Sequence, residues 1–187
     1  ESFVYLHVGQ WGKGGYGEDR KNIAVMIKCF LQAFANQPNP PALLLKTNGA
    51  DFSYLDKDDI IKKIQREKDK FKSADSVPNI YLLHGDLTLE QMALLYNLPK
   101  VKAMLSCTHG EGFGRPLAEA TCCDLPVIAT GWSGQMDFLN PKQSTLIEGS
   151  LKPVPKGLIW KPIIVEPSKW FCADEGDIIR KLRFFKK

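Results

Sequence analysis

Residues 101–123 read VKAMLSCTHGEGFGRPLAEATCC, and their pattern decides the fold class. The run 101–106 is mostly apolar and predicts a strand. Residues 116–123 predict a short helix with proline at its first position, where the missing N–H costs nothing. Glycines 110, 112 and 114 lie between the two elements. A strand that passes through a glycine-rich turn directly into a helix is typical of α/β proteins.

The same alternation extends in both directions from this stretch. Further strands are predicted at 3–8, 42–45, 80–83 and 127–129, and helices at 23–34, 56–71 and 88–96. Helices between consecutive strands indicate parallel βαβ units. We therefore predict one Rossmann-like domain over residues 1–187, an open parallel sheet with helices on both faces. An irregular proline-rich segment at about 150–172 and a C-terminal helix at about 174–185 complete it.

Composition excludes several classes of protein. The 187 residues are 44% hydrophobic and 25% charged, as in ordinary globular domains. The net charge of +4 is too small to indicate a nucleic-acid partner. The five cysteines form no C-x-x-C pair for zinc and favour a reducing, cytoplasmic setting. No apolar run is long enough to predict a membrane span, and the first residues do not predict a signal peptide. The abrupt opening in a strand suggests a piece of a longer protein.

The loops that follow the strands hold most of the unusual residues. Ligands of parallel sheets bind beyond the carboxyl ends of the strands, so we expect a site at this edge. Glycines before a helix N-terminus suit an anion, and the carboxylates of Glu111 and Glu119 suit sugar hydroxyls. Gly12–Gly17 also spells G-x-G-x-x-G. A dinucleotide-binding fold has an acidic residue at the end of the next strand, but this sequence has Lys46 there. The G-x-G-x-x-G match is therefore weak.

A family resemblance rests on the glycine turn and its flanks. The stretch Glu111-Gly-Phe-Gly-Arg-Pro-Leu-Ala-Glu119-Ala, followed by Leu125-Pro-Val-Ile-Ala129, resembles the E-x(7)-E region of retaining GT-B glycosyltransferases of the group 1 family. Other pieces resemble further parts of the C-terminal, donor-binding domain of that family: Val8-Gly9, Asp19-Arg-Lys-Asn22, Leu83-His84-Gly85-Asp86 and Trp132-Ser-Gly-Gln135.

The resemblance assigns roles to the two acids and one lysine. It implies that Glu119 binds the ribose of a nucleotide and that Glu111 faces the transferred sugar. Lys21 would pair with the diphosphate, which suits a compact ammonium. Glu111 and Lys21 are thus the expected catalytic residues. The other residues expected to bind the donor are Gly112, Phe113, Gly114, Arg20, Lys46, Gly85, Asp86, Gly9 and Gln10.

Two positions depart from the family pattern. Gln10 stands where the family often has arginine, so two alternatives stay open: the positive charge on the diphosphate is smaller, or Arg20 substitutes for the missing arginine. Asp124 stands where a glycine usually precedes the Leu-Pro-Val strand, although aspartate tolerates a left-handed helix end less readily.

The histidines show no metal-ligand spacing, and the family's GT-B members need no metal for the donor. His109 is expected close to the donor, His84 near the base or backbone, and His7 in the core. The tryptophans are expected to pack against the protein, among them Trp132, Trp160 and Trp170.

The function implied by the resemblance is sugar transfer from a nucleoside diphosphate sugar such as a UDP-, GDP- or ADP-sugar. No cofactor is implied. A sugar, lipid or protein acceptor would bind through a missing N-terminal domain, without which this chain is expected to be inactive. Two alternatives stay open: a nucleotide- or sugar-binding module without catalysis, and a GT-B type sugar-nucleotide epimerase. Turnover assays with the missing domain restored would separate an enzyme from a module.

Overall fold

A computed structural model describes residues 2–12, 14–159 and 164–187. Six parallel strands form one sheet in the order β3-β2-β1-β4-β5-β6. The strands are β1 (Val4–Val8), β2 (Ala42–Lys46), β3 (Ile80–Leu83), β4 (Val101–Ser106), β5 (Val127–Thr130) and β6 (Thr145–Ile147). The helices are α1 (Ile23–Phe34), α2 (Tyr54–Asp69), α3 (Leu89–Tyr96), α4 (Arg115–Cys122) and α5 (Glu175–Lys186). The predicted Rossmann-like parallel sheet is confirmed.

Helices cover both faces of the sheet because successive strand residues point to opposite sides. Tyr5 and Leu105 belong to a buried cluster with residues of α1, α2 and α5. Their neighbours Leu6 and Met104 belong to a second cluster with residues of α3 and α4. The near-continuous apolar strands of the sequence are therefore those of a sheet buried on both sides.

The sheet reverses its strand order between β1 and β4. These strands are hydrogen-bonded neighbours, with Leu6 opposite Met104. The chain leaves β1 toward α1 on one face and leaves β4 toward α4 on the other face. The crevice between two such diverging loops is where open α/β sheets bind their ligands. The fold thus brings the loop 9–22 and the glycine turn 107–114 to one place.

Side-chain caps set the starts of three helices. Thr88 and Gln91 form the predicted capping box at the start of α3. Asp174 caps α5 by accepting a hydrogen bond from the amide of Asp177 at 2.7 Å. Ser53 caps α2 through the amide of Asp56 at 3.1 Å, so this helix begins before the predicted residue 56.

The segment predicted to be irregular contains two strands. β7 (Gly149–Pro153) and β8 (Lys169–Ala173) pair antiparallel, although part of the intervening segment, 160–163 with Trp160, lies outside the described residues. Side chains of β7 are all exposed, so this strand lacks the apolar signal that identifies buried strands. Strand β6 was also missed, since only three residues form it.

Asp124 has φ 54°, so it adopts the left-handed conformation that glycine favours at a helix end.

Among the described parts of the chain, no helix combines the length and apolar character needed to cross a membrane.

Candidate functional site

Three charged side chains from two loops meet at the crevice. The ammonium Nζ of Lys21 donates to Oε1 of Glu111 at 2.6 Å. The guanidinium of Arg20 donates to the other carboxylate oxygen, Oε2, at 3.0 Å and to the carbonyl of Gly110 at 2.9 Å. The side chains of Lys21 and Glu111 are only 11% and 9% exposed, whereas that of Arg20 is 57% exposed. The structure thus brings together three residues that the sequence placed in one site.

This charge cluster carries an excess of positive charge. Burial raises the pKa of Glu111, but Lys21 and Arg20 outweigh that effect and hold the pKa below its usual value. The carboxylate is therefore ionised at neutral pH. Two cations and one carboxylate leave one net positive charge at the mouth of the crevice, which favours an anionic ligand.

Asp19 fixes the backbone that carries the two cations. Its carboxylate accepts hydrogen bonds from the amides of Lys21 at 3.0 Å and Ile23 at 3.1 Å. Burial raises the pKa of this carboxyl, and the amide hydrogen bonds oppose that shift. The second of these bonds satisfies a free N–H at the start of α1, so Asp19 ties the helix to the loop.

The glycine turn is held by the loop after β5. The Ser133 hydroxyl donates to the carbonyl of Glu111 at 2.8 Å, and the Gly134 amide donates to the same oxygen at 3.1 Å. A Cβ atom on Gly134 would overlap the carbonyl of Gly112. Ser133 has φ 77° and ψ −164°, a strained conformation for a residue with a side chain. The close approach of the two loops therefore sets the position of Glu111.

Helix α4 begins directly after this turn. Gly114 is its N-cap, with φ 86°, a conformation that favours glycine. Pro116 has no N–H, and the amides of Leu117 and Ala118 donate to the carbonyl of Gly114 at 2.8 and 3.1 Å, so donors for a ligand would come from the turn itself.

Glu119 lies one helical turn further on and has different partners from Glu111. The Tyr96 hydroxyl donates to its Oε2 at 2.9 Å, and Nε of Arg115 lies 3.1 Å from its Oε1. Burial raises the pKa of Tyr96 well above its usual value, and Glu119 adds to the shift, so the hydroxyl remains a donor. The carboxylate borders a groove of about 310 Å³ between α3 and α4, lined also by Leu89, Met92, Ala93, Ala118, Cys122 and Cys123. Nothing in the spacing of α3 identified Tyr96 as a partner.

The loop after β3 is linked to a buried lysine. Lys46 donates to the carbonyl of Gly85 at 2.7 Å, and burial lowers the pKa of Lys46 while the charge of Asp86 opposes that shift. Asp86 itself is exposed. The Nε2 atom of His84 lies 2.9 Å from a carboxylate oxygen of Asp56 in α2, and the expected position of His84 near the base or backbone stays a prediction.

The first loop turns the Gln10 side chain away from the charge cluster. The Gly9 amide donates to the carbonyl of Lys46 at 3.1 Å. The Gln10 amide group donates to the carbonyl of Gly49 at 2.5 Å, on the loop after β2. Gln10 therefore holds two loops together, and the cationic groups at Glu111 come from residues 20 and 21.

His109 is 4% exposed, and both of its ring nitrogens contact backbone carbonyls of the protein. Both ring nitrogens are thus engaged by the protein, and contact of this residue with the donor stays a prediction. Trp170 stacks on His109 at a centroid distance of 4.0 Å, and Trp132 lies parallel to Phe171 at 6.1 Å. Both tryptophans pack against the protein as predicted, although Trp132 remains 41% exposed.

Comparisons with known proteins find similarity in structure but not in sequence. No protein-family model matches the sequence, and no curated protein matches it. Among solved structures, the C-terminal domain of a glycosyl transferase group 1 family protein (LpcC) from Francisella tularensis is 15% identical with a TM-score of 0.61, covering 98% of this chain and 75% of that chain.

Two further solved structures, of enzymes with longer chains, are similar to this chain. The pneumococcal O-GlcNAc transferase GtfA, in complex with UDP and GlcNAc, is 18% identical with a TM-score of 0.55, covering 97% of this chain and 28% of that chain. A UDP-forming trehalose-phosphate synthase from Burkholderia vietnamiensis is 12% identical with a TM-score of 0.58, covering 96% and 36%. The chain therefore has the fold of one half of a GT-B glycosyltransferase and spans about a third of these enzymes.

Proposed function

We propose that this chain is the nucleotide-sugar donor-binding domain of a retaining glycosyltransferase. The observation that carries the proposal is the convergence of Lys21 and Arg20 on Glu111 at the point where the strand order reverses. The glycosyltransferase fold of the solved neighbours supports the same function.

The donor diphosphate would lie between the charge cluster and the glycine turn. Lys21 and Arg20 share one carboxylate, so part of their positive charge is available to phosphate oxygens. The backbone amides of Gly112, Phe113 and Gly114, in the turn before α4, would add donors to the same ligand. The pneumococcal neighbour was solved with UDP, which agrees with a nucleoside diphosphate as the ligand class.

The two glutamates would then bind opposite ends of the donor. Glu119, next to the groove between α3 and α4, would accept hydrogen bonds from ribose hydroxyls. Glu111, beside Lys21, would accept hydrogen bonds from the transferred sugar. Carboxylates suit both tasks because they act only as acceptors, whereas sugar hydroxyls can donate.

Transfer would break the bond between the anomeric carbon and the diphosphate while keeping the configuration of that carbon. Negative charge develops on the leaving diphosphate during this step. Lys21 and the amides before α4 would stabilise it, which is the main electrostatic contribution that this domain can offer. A second domain would bind the acceptor, which is a sugar, lipid or protein. This chain alone should therefore bind the donor without transferring sugar.

Substitution of the two glutamates tests the proposal. We expect Glu119→Ala to weaken a nucleoside diphosphate and the corresponding nucleotide-sugar alike, because both contain ribose. Glu111→Ala should weaken the nucleotide-sugar more than the nucleoside diphosphate. Each lost hydrogen bond to a charged acceptor is on the order of 1.5–3 kcal/mol, which calorimetry resolves.

The matched control is Asp69→Ala, since this carboxylate lies at the C-terminal end of α2, at the opposite edge of the sheet. Its affinity for both ligands should equal that of the wild type. If Glu119→Ala and Glu111→Ala also leave both affinities unchanged, the donor site is not here. If Glu111→Ala instead weakens binding of the nucleoside diphosphate, the ligand is bound in the opposite orientation, with its ribose at Glu111.

A further inference from the structure

The buried ring of His109 has an oxygen acceptor at each of its two nitrogens. Nδ1 lies 2.7 Å from the carbonyl oxygen of Phe171 in β8, and Nε2 lies 3.0 Å from the carbonyl oxygen of Gly17 in the first loop. Carbonyl oxygens only accept hydrogen bonds. A neutral imidazole has one N–H and would point a lone pair at one of the two oxygens. Only the imidazolium, which donates from both nitrogens, satisfies both contacts.

The surroundings of the ring also suit a positive charge. Trp170 stacks on the imidazole with an interplanar angle of 13°, and an aromatic face attracts a cation. The buried carboxylate of Asp19 interacts electrostatically with His109, and this interaction favours the ionised form of Asp19. A cation here therefore offsets part of the cost of burying that acid.

His109 also bonds through its backbone to the same segments. Its amide donates to the carbonyl of Arg20 at 2.9 Å, and its carbonyl accepts from the amide of Phe171 at 3.1 Å. The residue thus joins three segments: the loop with Arg20 and Lys21, the turn with Glu111, and strand β8.

We propose that His109 is a positioning residue that carries a proton on both ring nitrogens at pH 7 and holds the Arg20–Lys21 loop and the Glu111 turn in their binding geometry. The inference deepens the proposed function, on which its effect on ligand affinity rests. Deprotonation removes one of the two ring bonds and the charge that faces Asp19. The loop that orients the two cations is then less firmly held, and affinity for a diphosphate falls as pH rises.

His7 provides a contrast within the same molecule. Its Nδ1 lies 2.9 Å from the carbonyl of Leu105, and among the described residues its buried Nε2 has no hydrogen-bond partner. Burial lowers the pKa of His7 to about 4, so this ring is neutral at pH 7. One histidine of the site region is thus expected to be neutral and the other charged.

The first test measures the ¹⁵N chemical shifts of the imidazole nitrogens of the whole chain at pH 7. Both nitrogens of His109 should have the shifts of protonated nitrogens, and His7 should show one protonated and one bare nitrogen. A bare nitrogen on His109 would overturn the proposal. This measurement needs neither a ligand nor a substitution.

The second test compares the wild type with His109→Gln over pH 6 to 9, using UDP, GDP and ADP as probes. Glutamine donates from only one side, so we expect about 10-fold weaker binding at pH 6, the size of one lost charged hydrogen bond. The ratio of the two affinities should shrink toward higher pH. A ratio that stays constant over the range would point to mere packing and overturn the proposal.

The effects of all other titrating groups on affinity must cancel when the wild type is compared with His109→Gln. Among the described residues, the titratable and charged side chains on the segments that touch the ring are Tyr16, Glu18, Asp19, Arg20, Lys21, Cys107, Glu111, Lys169 and Cys172. All of them are present in both proteins, as is the titration of the nucleotide itself. The control Tyr16→Phe removes another bond of the same loop, from Tyr16 to Glu175, without touching His109. Its affinity should keep the pH dependence of the wild type.

Failure of the proposed function gives a different result. If no nucleotide binds to the wild type, that function fails, and amide hydrogen exchange decides the positioning role. The amides of Lys21 and Ile23, both bonded to Asp19, should exchange faster in His109→Gln than in the wild type at pH 6. Equal exchange rates would contradict a positioning role for His109.

Discussion

A Gly134→Ala substitution is expected to destabilise the protein by about 3 kcal/mol and to abolish ligand binding. The new Cβ would overlap the carbonyl of Gly112 and crowd that of Glu111, so the two loops must separate. Overpacking of this kind typically costs about 1–3 kcal/mol, and loss of the Ser133 and Gly134 bonds to Glu111 adds to it. For a chain of this size the melting temperature should fall by roughly 6–12 °C.

The control for this substitution is Gly112→Ala, at the other side of the same contact. A Cβ on Gly112 meets no atom within 4 Å, so thermal stability should stay close to that of the wild type. Differential scanning calorimetry measures both variants. A Gly134→Ala protein that melts with the wild type would show that the loop after β5 does not pack on the glycine turn.

The second large effect is expected for Lys21→Met. This change removes the ammonium from a buried ion pair and leaves Glu111 with Arg20 alone. Affinity for a nucleoside diphosphate should fall by about 10- to 150-fold, since a hydrogen bond to a charged group contributes about 1.5–3 kcal/mol. Affinity for the bare nucleoside should be unchanged, because it carries no phosphate. Isothermal titration calorimetry with both ligands gives the two ratios.

Lys28→Met is the matched control, because Lys28 is another lysine of the α1 region that pairs with a glutamate, Glu175, at 2.7 Å. It removes an ion pair of similar geometry outside the crevice and should leave both affinities intact. Equal losses of nucleoside and nucleoside diphosphate in Lys21→Met would remove this lysine from the phosphate site.

The parallel sheet was predictable from sequence because each element has a local signal. The spacing of apolar residues from Ile23 to Phe34 is that of one helix face, and Thr88 with Gln91 marks a helix start. The glycine turn before α4 is equally local, since Gly114 must adopt a positive φ. Once strands and helices alternate, the right-handed crossover rule leaves few arrangements, and the loops after β1 and β4 must share one edge.

Contacts between distant segments had no such signal. The bond from Tyr96 to Glu119 joins α3 to α4, and the contact of Gly134 with the turn depends on how two loops approach each other. Strand β8 was hidden in a segment with prolines, so its bonds to His109 were unforeseen. The sequence thus indicated which residues form the candidate site, whereas the side chains that hold them in place follow from tertiary packing.

Titration of the wild-type chain with UDP, GDP and ADP tests the central claim most directly. Isothermal titration calorimetry should show that at least one of these nucleoside diphosphates binds at a single site, and that Glu119→Ala weakens that binding by about 10-fold or more. If none of the three binds at millimolar concentration, the chain is not a nucleotide-sugar donor domain.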